Sequence, residues 1–153
     1  MSPVIQPLPV TSVLFACTHN MIRSPMAESI MKHFHGRTVY VDSVGVREGD
    51  EVDGFAVAVM EEIGIDLTRH RCKTFADLED TSYDLIISLS PEAQHRAIEM
   101  TRTMACEVEF WNTFDPTIID GSRDVMLDAY RQVRDGLMNR IKERFPLSRG
   151  PTV

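Results

Sequence analysis

Cys17-Thr18-His19-Asn20-Met21-Ile22-Arg23-Ser24 brings a thiol, a guanidinium and a hydroxyl together within one short stretch. A thiolate is a strong nucleophile. A guanidinium grips an oxyanion with parallel hydrogen bonds and stabilises the charge that develops on it. Together, these types can bring sulfur to attack a phosphate-like group. Cys17 would be the nucleophile at the bottom of a cup, and Arg23 the cationic clamp at its rim.

Such a cup needs a scaffold that points backbone N–H groups into it. The apolar run at residues 13–16 reads as a buried strand. Ser24-Pro25 reads as a helix N-cap followed by proline at the first helical position. That helix is expected over residues 25–35, with Met26, Ala27, Ile30, Met31 and Phe34 on its apolar side. A strand, a tight loop and a helix N-terminus in succession form an anion site. Thr18, His19, Asn20, Met21, Ile22 and Arg23 then make up a phosphate-binding loop after the first strand. Asparagine tolerates a left-handed backbone better than most residues, which suits Asn20 to the bend.

Further elements follow in alternation. Strands are expected at residues 38–42, 83–89 and 106–111, and helices at 54–63, from Pro91 onward, and at 122–144, with a short turn at 75–78. The third helix should turn Ala93, Ala97, Ile98 and Met100 inward, and the last one Met126, Ala129, Val133, Leu137 and Ile141. This pattern predicts an α/β domain of three layers, a four-stranded parallel sheet with helices on both faces. Ligands of such folds bind beyond the carboxyl ends of the strands. Cys17, Ser43, Ser90 and Asp115 each follow a predicted strand, so all four should meet at that end. Asp115 precedes Pro116, a common turn pair, and its place after the fourth strand makes it the candidate general acid and base. Asp120 and Asp124 read as loop and first-turn helix charges.

Composition bounds the rest. The chain of 153 residues suits one domain, with residues 1–11 as an extended lead-in and 146–153 as a loose tail. Hydrophobic residues make up 43% and charged residues 25%, which fits a globular core. A net charge of −7 disfavours a nucleic-acid partner. No apolar run approaches the roughly 20 residues of a membrane span. The N-terminus lacks the basic and apolar regions of a signal peptide, so the expected location is the cytoplasm. The three cysteines, Cys17, Cys72 and Cys106, fit reduced thiols, the latter two in structural roles. His33 and His35 do not share a helix face, and no metal-ligand cluster is visible. No metal or organic cofactor is expected.

Residues 13–28, VLFACTHNMIRSPMAE, resemble the opening of the low-molecular-weight protein tyrosine phosphatases, whose fold thiol-dependent arsenate reductases share. Asp42-Ser43-Val44-Gly45 resembles the family's D-S-A-G, residues 84–90 its third strand, and Asp115-Pro116 the place of its acid. The last helix also fits, so the likeness runs from residue 13 to about residue 145. It implies a cysteinyl-phosphate intermediate. Ser24 would help the sulfur to leave, Asn20 would hold the loop with Ser43 as partner, and Asp115 would serve first as acid and then as base. The sequence also departs from the family. Ile22 stands where many members carry a second cysteine, which excludes a protective disulfide inside the loop. Thr117 stands where many tyrosine phosphatases have an aromatic residue. Residues 46–50 offer no aromatic wall, and Arg47 and Glu48 make a polar rim. Leu89-Ser90-Pro91 lacks the relay cysteines of thioredoxin-linked arsenate reductases.

The resulting expectation is a phosphomonoester hydrolase of protein-tyrosine-phosphatase type, acting on a phosphorylated protein or a small phosphomonoester. One alternative is an arsenate reductase that uses an external small thiol. The other is a non-catalytic phosphate- or phosphopeptide-binding module.

Overall fold

The structure is a computed structural model and describes residues 10–79 and 82–147. The expected lead-in therefore lies mostly outside the described residues, as does most of the tail. Four strands, β1 (Ser12–Cys17), β2 (Tyr40–Gly45), β3 (Leu85–Ser88) and β4 (Glu107–Phe110), form one sheet in the order β2-β1-β3-β4. Every pairing is parallel. Four helices connect and follow them: α1 (Arg23–His35), α2 (Gly54–Glu61), α3 (Pro91–Met100) and α4 (Arg123–Arg144).

Side-chain alternation along β1 sorts the core into two layers. Val13, Phe15 and Cys17 face the layer filled by Met26, Ile30, Val59, Met60, Val133, Leu137 and Ile141 of α1, α2 and α4. Leu14 and Ala16 face the layer closed by Ala93 and Ala97 of α3. Chain connections leave β1 toward β2 on one side and return past it to β3 on the other. The carboxyl end of β1 is thus the topological switch point of the sheet, where open α/β folds bind their ligands.

Element boundaries differ from expectation where tertiary contacts overrule local preference. β2 was expected over residues 38–42, on its β-branched and aromatic residues, yet it runs through Asp-Ser-Val-Gly to Gly45. Those polar residues are held in the ladder by specific partners. Asp42 pairs with Lys73 and accepts from Tyr83, and Ser43 accepts from Asn20 and donates to Glu28. Gly45 must lack a side chain, because a Cβ there would stand 2.7 Å from His19 C and 2.8 Å from Asn20 N. Ser43 consequently lies within β2 rather than after it.

The reading of Ser24 as a helix cap is also corrected. α1 begins at Arg23, with Ile22 at the cap position and no side-chain cap. Ser24 lies inside the first turn, and its hydroxyl is engaged elsewhere. On α3, Ile98 is 49% exposed, so the inward face is Ala93 and Ala97 with Met100 beside them. α4 buries Ala129, Val133, Leu137 and Ile141 of its predicted stripe, with Leu127 and Tyr130 in place of Met126, and is capped by Ser122, which accepts from the Val125 N–H.

Candidate active site

Cys17 is the last residue of β1, paired with Gly45 of β2, and is 2% exposed. The chain then turns through Thr18–Ile22 into α1. Asn20 makes that turn, with φ of 59°. It is fully buried and its side chain is saturated. Oδ1 accepts from the Lys73 backbone N–H at 3.0 Å and contacts His70 Nε2 at 3.0 Å, while Nδ2 donates to Ser24 Oγ at 2.8 Å and to Ser43 Oγ at 2.9 Å. The Lys73 bond settles which end of the amide is which, since a backbone N–H can only donate.

This orientation determines the hydrogen bonding at sulfur. Ser24 Oγ accepts from Asn20 and stands 2.8 Å from Cys17 Sγ and 3.5 Å from the Val44 carbonyl, so its one hydrogen can turn to the sulfur when that is a thiolate. The Asn20 backbone N–H lies 3.3 Å from the same sulfur and also donates to it. Two donors therefore converge on Sγ at an uncapped helix start, where the first N–H groups have no intrahelical partner. The arrangement suits negative charge on sulfur and on an oxyanion beside it.

Arg23 Nη1 donates to the Thr113 carbonyl at 3.0 Å, and Nη2 lies 3.5 Å from Thr18 Oγ1. Thr18 in turn donates to Ser90 Oγ at 3.1 Å, and that oxygen accepts from Ala93 N–H at the start of α3. The Arg23–Thr113 bond draws the segment after β4 toward the cup. Two residues on, Asp115 Oδ1 accepts from the backbone N–H of Thr117 at 3.0 Å and from its hydroxyl at 2.7 Å. A 3-10 turn over Pro116–Ile118 follows. Cys17, Ser24, Asn20 and Ser43 are thus joined in one network, Arg23, Thr18 and Ser90 in a second, and Asp115 is carried on the segment that Arg23 holds.

Other predicted residues fall differently. His19 is exposed on the outside of the loop, and Met21 and Ile22 turn toward the core. The Arg47 guanidinium bonds both carboxylate oxygens of Glu92 at 3.0 Å, so it serves an ion pair across the rim rather than the cup. Cys72 and Cys106 are half-buried free thiols. Burial pushes both up, and for Cys72 the nearby charges of Cys17, Asp50 and Glu51 add to the effect. Among the described residues, no group of His, Cys, Asp and Glu side chains is arranged to hold a metal ion, and no helix is long and apolar enough to cross a membrane.

Sequence reasoning missed the support beneath Asn20. His70 contacts both the carbonyl and the Oδ1 of Asn20, with Glu28 3.8 Å from its other ring nitrogen. Burial is the main influence on His70 and holds it below the ordinary histidine value of 6.5. Opposing this, Glu28, the Asn20 carbonyl and Asp42 push it upward, while Lys73 adds a further push downward. Neither residue announces itself, because residues 66–74 have no periodic pattern and His70 lies far along the chain from the loop.

Comparison with known proteins agrees with this geometry. The sequence profile for "Low molecular weight phosphotyrosine protein phosphatase" matches residues 12–144. The chain is 30% identical over 131 residues to the arsenate reductase of Bacillus subtilis, covering 86% of this chain and 92% of that protein. It is 32% identical over 136 residues to a low molecular weight protein-tyrosine-phosphatase of Streptomyces coelicolor, covering 81% and 80%. The crystal structure of the Erwinia amylovora tyrosine phosphatase AmsI superposes with a TM-score of 0.74 at 22% identity, covering 95% of this chain and 98% of that one, a likeness of fold. With the profile spanning the whole sheet and the Cys17–Ser24 loop at its switch point, the chain belongs to the low molecular weight phosphotyrosine protein phosphatase family.

Proposed function

We propose that the protein is a phosphomonoester hydrolase of the tyrosine-phosphatase type, working through a cysteinyl-phosphate intermediate. The observation that carries this reading is the pair of donors, Ser24 Oγ–H and Asn20 N–H, aimed at a buried Cys17 Sγ at a helix start. Cys17 thiolate attacks phosphorus, the S–P bond forms and the ester P–O bond breaks. Asp115 gives its proton to the leaving oxygen. Loop N–H groups and Arg23 hold the non-reacting oxygens. Water then attacks phosphorus while Asp115 takes its proton, and the S–P bond breaks. The departing thiolate is received by the Ser24 hydroxyl. Inorganic phosphate leaves and the enzyme returns to its starting state.

The test is aryl phosphate hydrolysis. Turnover should be inhibited by vanadate and abolished by Cys17→Ser, and Asp115→Asn should slow it by about 10²–10⁴-fold. An unchanged rate in Asp115→Asn would remove that residue from the mechanism.

A second reading is favoured by relatives such as the Bacillus subtilis protein, named an arsenate reductase. The same cup would accept arsenate, a tetrahedral oxyanion like phosphate. With Leu89 and Ser90 after β3, the reducing thiol would come from a small external molecule. Arsenate-dependent thiol oxidation with negligible phosphate release would decide for that reading. Phosphate binding with neither reaction would decide for a binding module.

A further inference from the structure

Resting on the phosphatase reading with Asp115 as acid, we propose that Tyr130 is a positioning residue that ties the acid's surroundings to the phosphate loop. Cys17 and Asp115 belong to different segments, and their relative placement must be fixed by something between them. One link is the Arg23–Thr113 bond. That link is shared with the substrate, because the guanidinium must turn its fork toward the oxyanion when one binds.

Tyr130 supplies a link that the substrate does not compete for. It is 3% exposed, on α4, and its hydroxyl donates to Asp53 Oδ2 at 3.2 Å. Asp53 uses its other oxygen to cap α2, accepting from Phe55 N–H at 2.8 Å and Ala56 N–H at 3.2 Å. Its own backbone N–H donates to the Met21 carbonyl at 3.0 Å, inside the phosphate loop. A phenol on α4 is thus two hydrogen bonds from the loop that holds Cys17. α4 also packs against the Pro116–Ile118 turn that Asp115 caps, which places the acid's segment beside the same helix. Burial, then Asp53, then Asp115 push Tyr130 well above the ordinary tyrosine range. The hydroxyl keeps its proton and donates to Asp53.

Removing the hydroxyl should leave α4 in place. Arg134 donates to the Val59 carbonyl and to Glu62, both at 2.7 Å, and Arg131 reaches Glu62 at 2.8 Å. The ring packs on Phe55 with centroids 5.4 Å apart, a contact that phenylalanine retains.

The experiment compares Tyr130→Phe with Asp115→Asn on two substrates and measures vanadate affinity for each protein. Phenyl phosphate expels a phenol of pKa about 10 and needs the acid. The 2,4-dinitrophenyl ester expels a far more acidic phenol and needs it little. A positioning role predicts that Tyr130→Phe loses about tenfold or more in kcat/KM on phenyl phosphate. On the dinitrophenyl ester the loss should be much smaller, with vanadate affinity within about twofold of the parent protein. Equal losses on both esters, no loss on either, or weakened vanadate binding would overturn the inference. If Asp115→Asn itself shows no preference between the esters, the acid assignment fails first. If it does and Tyr130→Phe does not, only the role of Tyr130 fails.

Discussion

The backbone N–H of Lys73 donates to Asn20 Oδ1 at 3.0 Å, and this bond from a distant loop orients the amide that serves Ser24 and Ser43. Asn20→Ala removes the side chain that joins the three and leaves the left-handed turn to a residue that disfavours it. Turnover of an aryl phosphate should fall by about 10²-fold, because the loop loses its fixed shape. Steady-state kinetics alongside thermal melting separate this from unfolding. A fully active Asn20→Ala would show that the network is not needed.

Ser24→Ala should affect the second half of the reaction more than the first. The hydroxyl stands 2.8 Å from Cys17 Sγ, and a developing thiolate needs its hydrogen most when the S–P bond breaks. Loss of one such donor costs about 10²-fold or more in the step it serves. Rapid-quench measurements should show a burst of released phenol near one equivalent, followed by slow turnover. Absence of a burst, with both steps slowed alike, would count against this division of labour.

His70 predicts a pH effect on stability. Its folded value lies below 6.5 because burial disfavours the charged ring, Glu28 and Asp42 notwithstanding. Well above pH 6.5 the ring is neutral in both states, and its contribution to stability is fully present. As pH falls below 6.5, the unfolded chain takes up the proton before the folded one does. Stability is then lost until the folded value is passed. Thermal melting from pH 8 to 5 should fall more steeply for the parent protein than for His70→Gln, which has no proton to gain. Parallel curves would rule out His70 as the source.

Gly45→Ala tests the close approach beneath the loop. A Cβ at 2.7 Å from His19 C and 2.8 Å from Asn20 N meets backbone that cannot swing aside like a flexible side chain. The sheet should persist, since Cys17 and Gly45 lie at the ends of their strands, while the loop shifts outward. Equilibrium binding of vanadate or inorganic phosphate should weaken by about tenfold or more. Unaltered affinity would mean that the loop has room to spare.

Much of this was legible in the sequence because it is local. The four strands and four helices follow from hydrophobic period and from Gly and Pro punctuation. The Cys17–Arg23 spacing shows where the cup lies, since loop and helix start are contiguous. What could not be read is what long-range contacts decide. Asp42 and Ser43 look like the start of a loop, and only Lys73, Tyr83, Asn20 and Glu28 explain why they continue a strand. Ser24-Pro25 looks like a cap and first position, yet the helix starts two residues earlier and the hydroxyl stands beside the sulfur. His70, Tyr130 and Asp53 carry no local signature, because each acts on a loop remote in sequence.

Cys17 closes a strand with a neighbour on either side, and its carbonyl accepts from Val46 N–H at 3.1 Å. Asp115, by contrast, sits on a short turn reached from an edge strand. The two places are therefore open to change to very different degrees. Altering the surroundings of Cys17 means disturbing the centre of the sheet, whereas residues 114–121, between the Thr113 carbonyl held by Arg23 and the Ser122 cap of α4, lie at its margin. Under the proposed mechanism, a change of leaving group would be met at that margin while the sulfur keeps its setting.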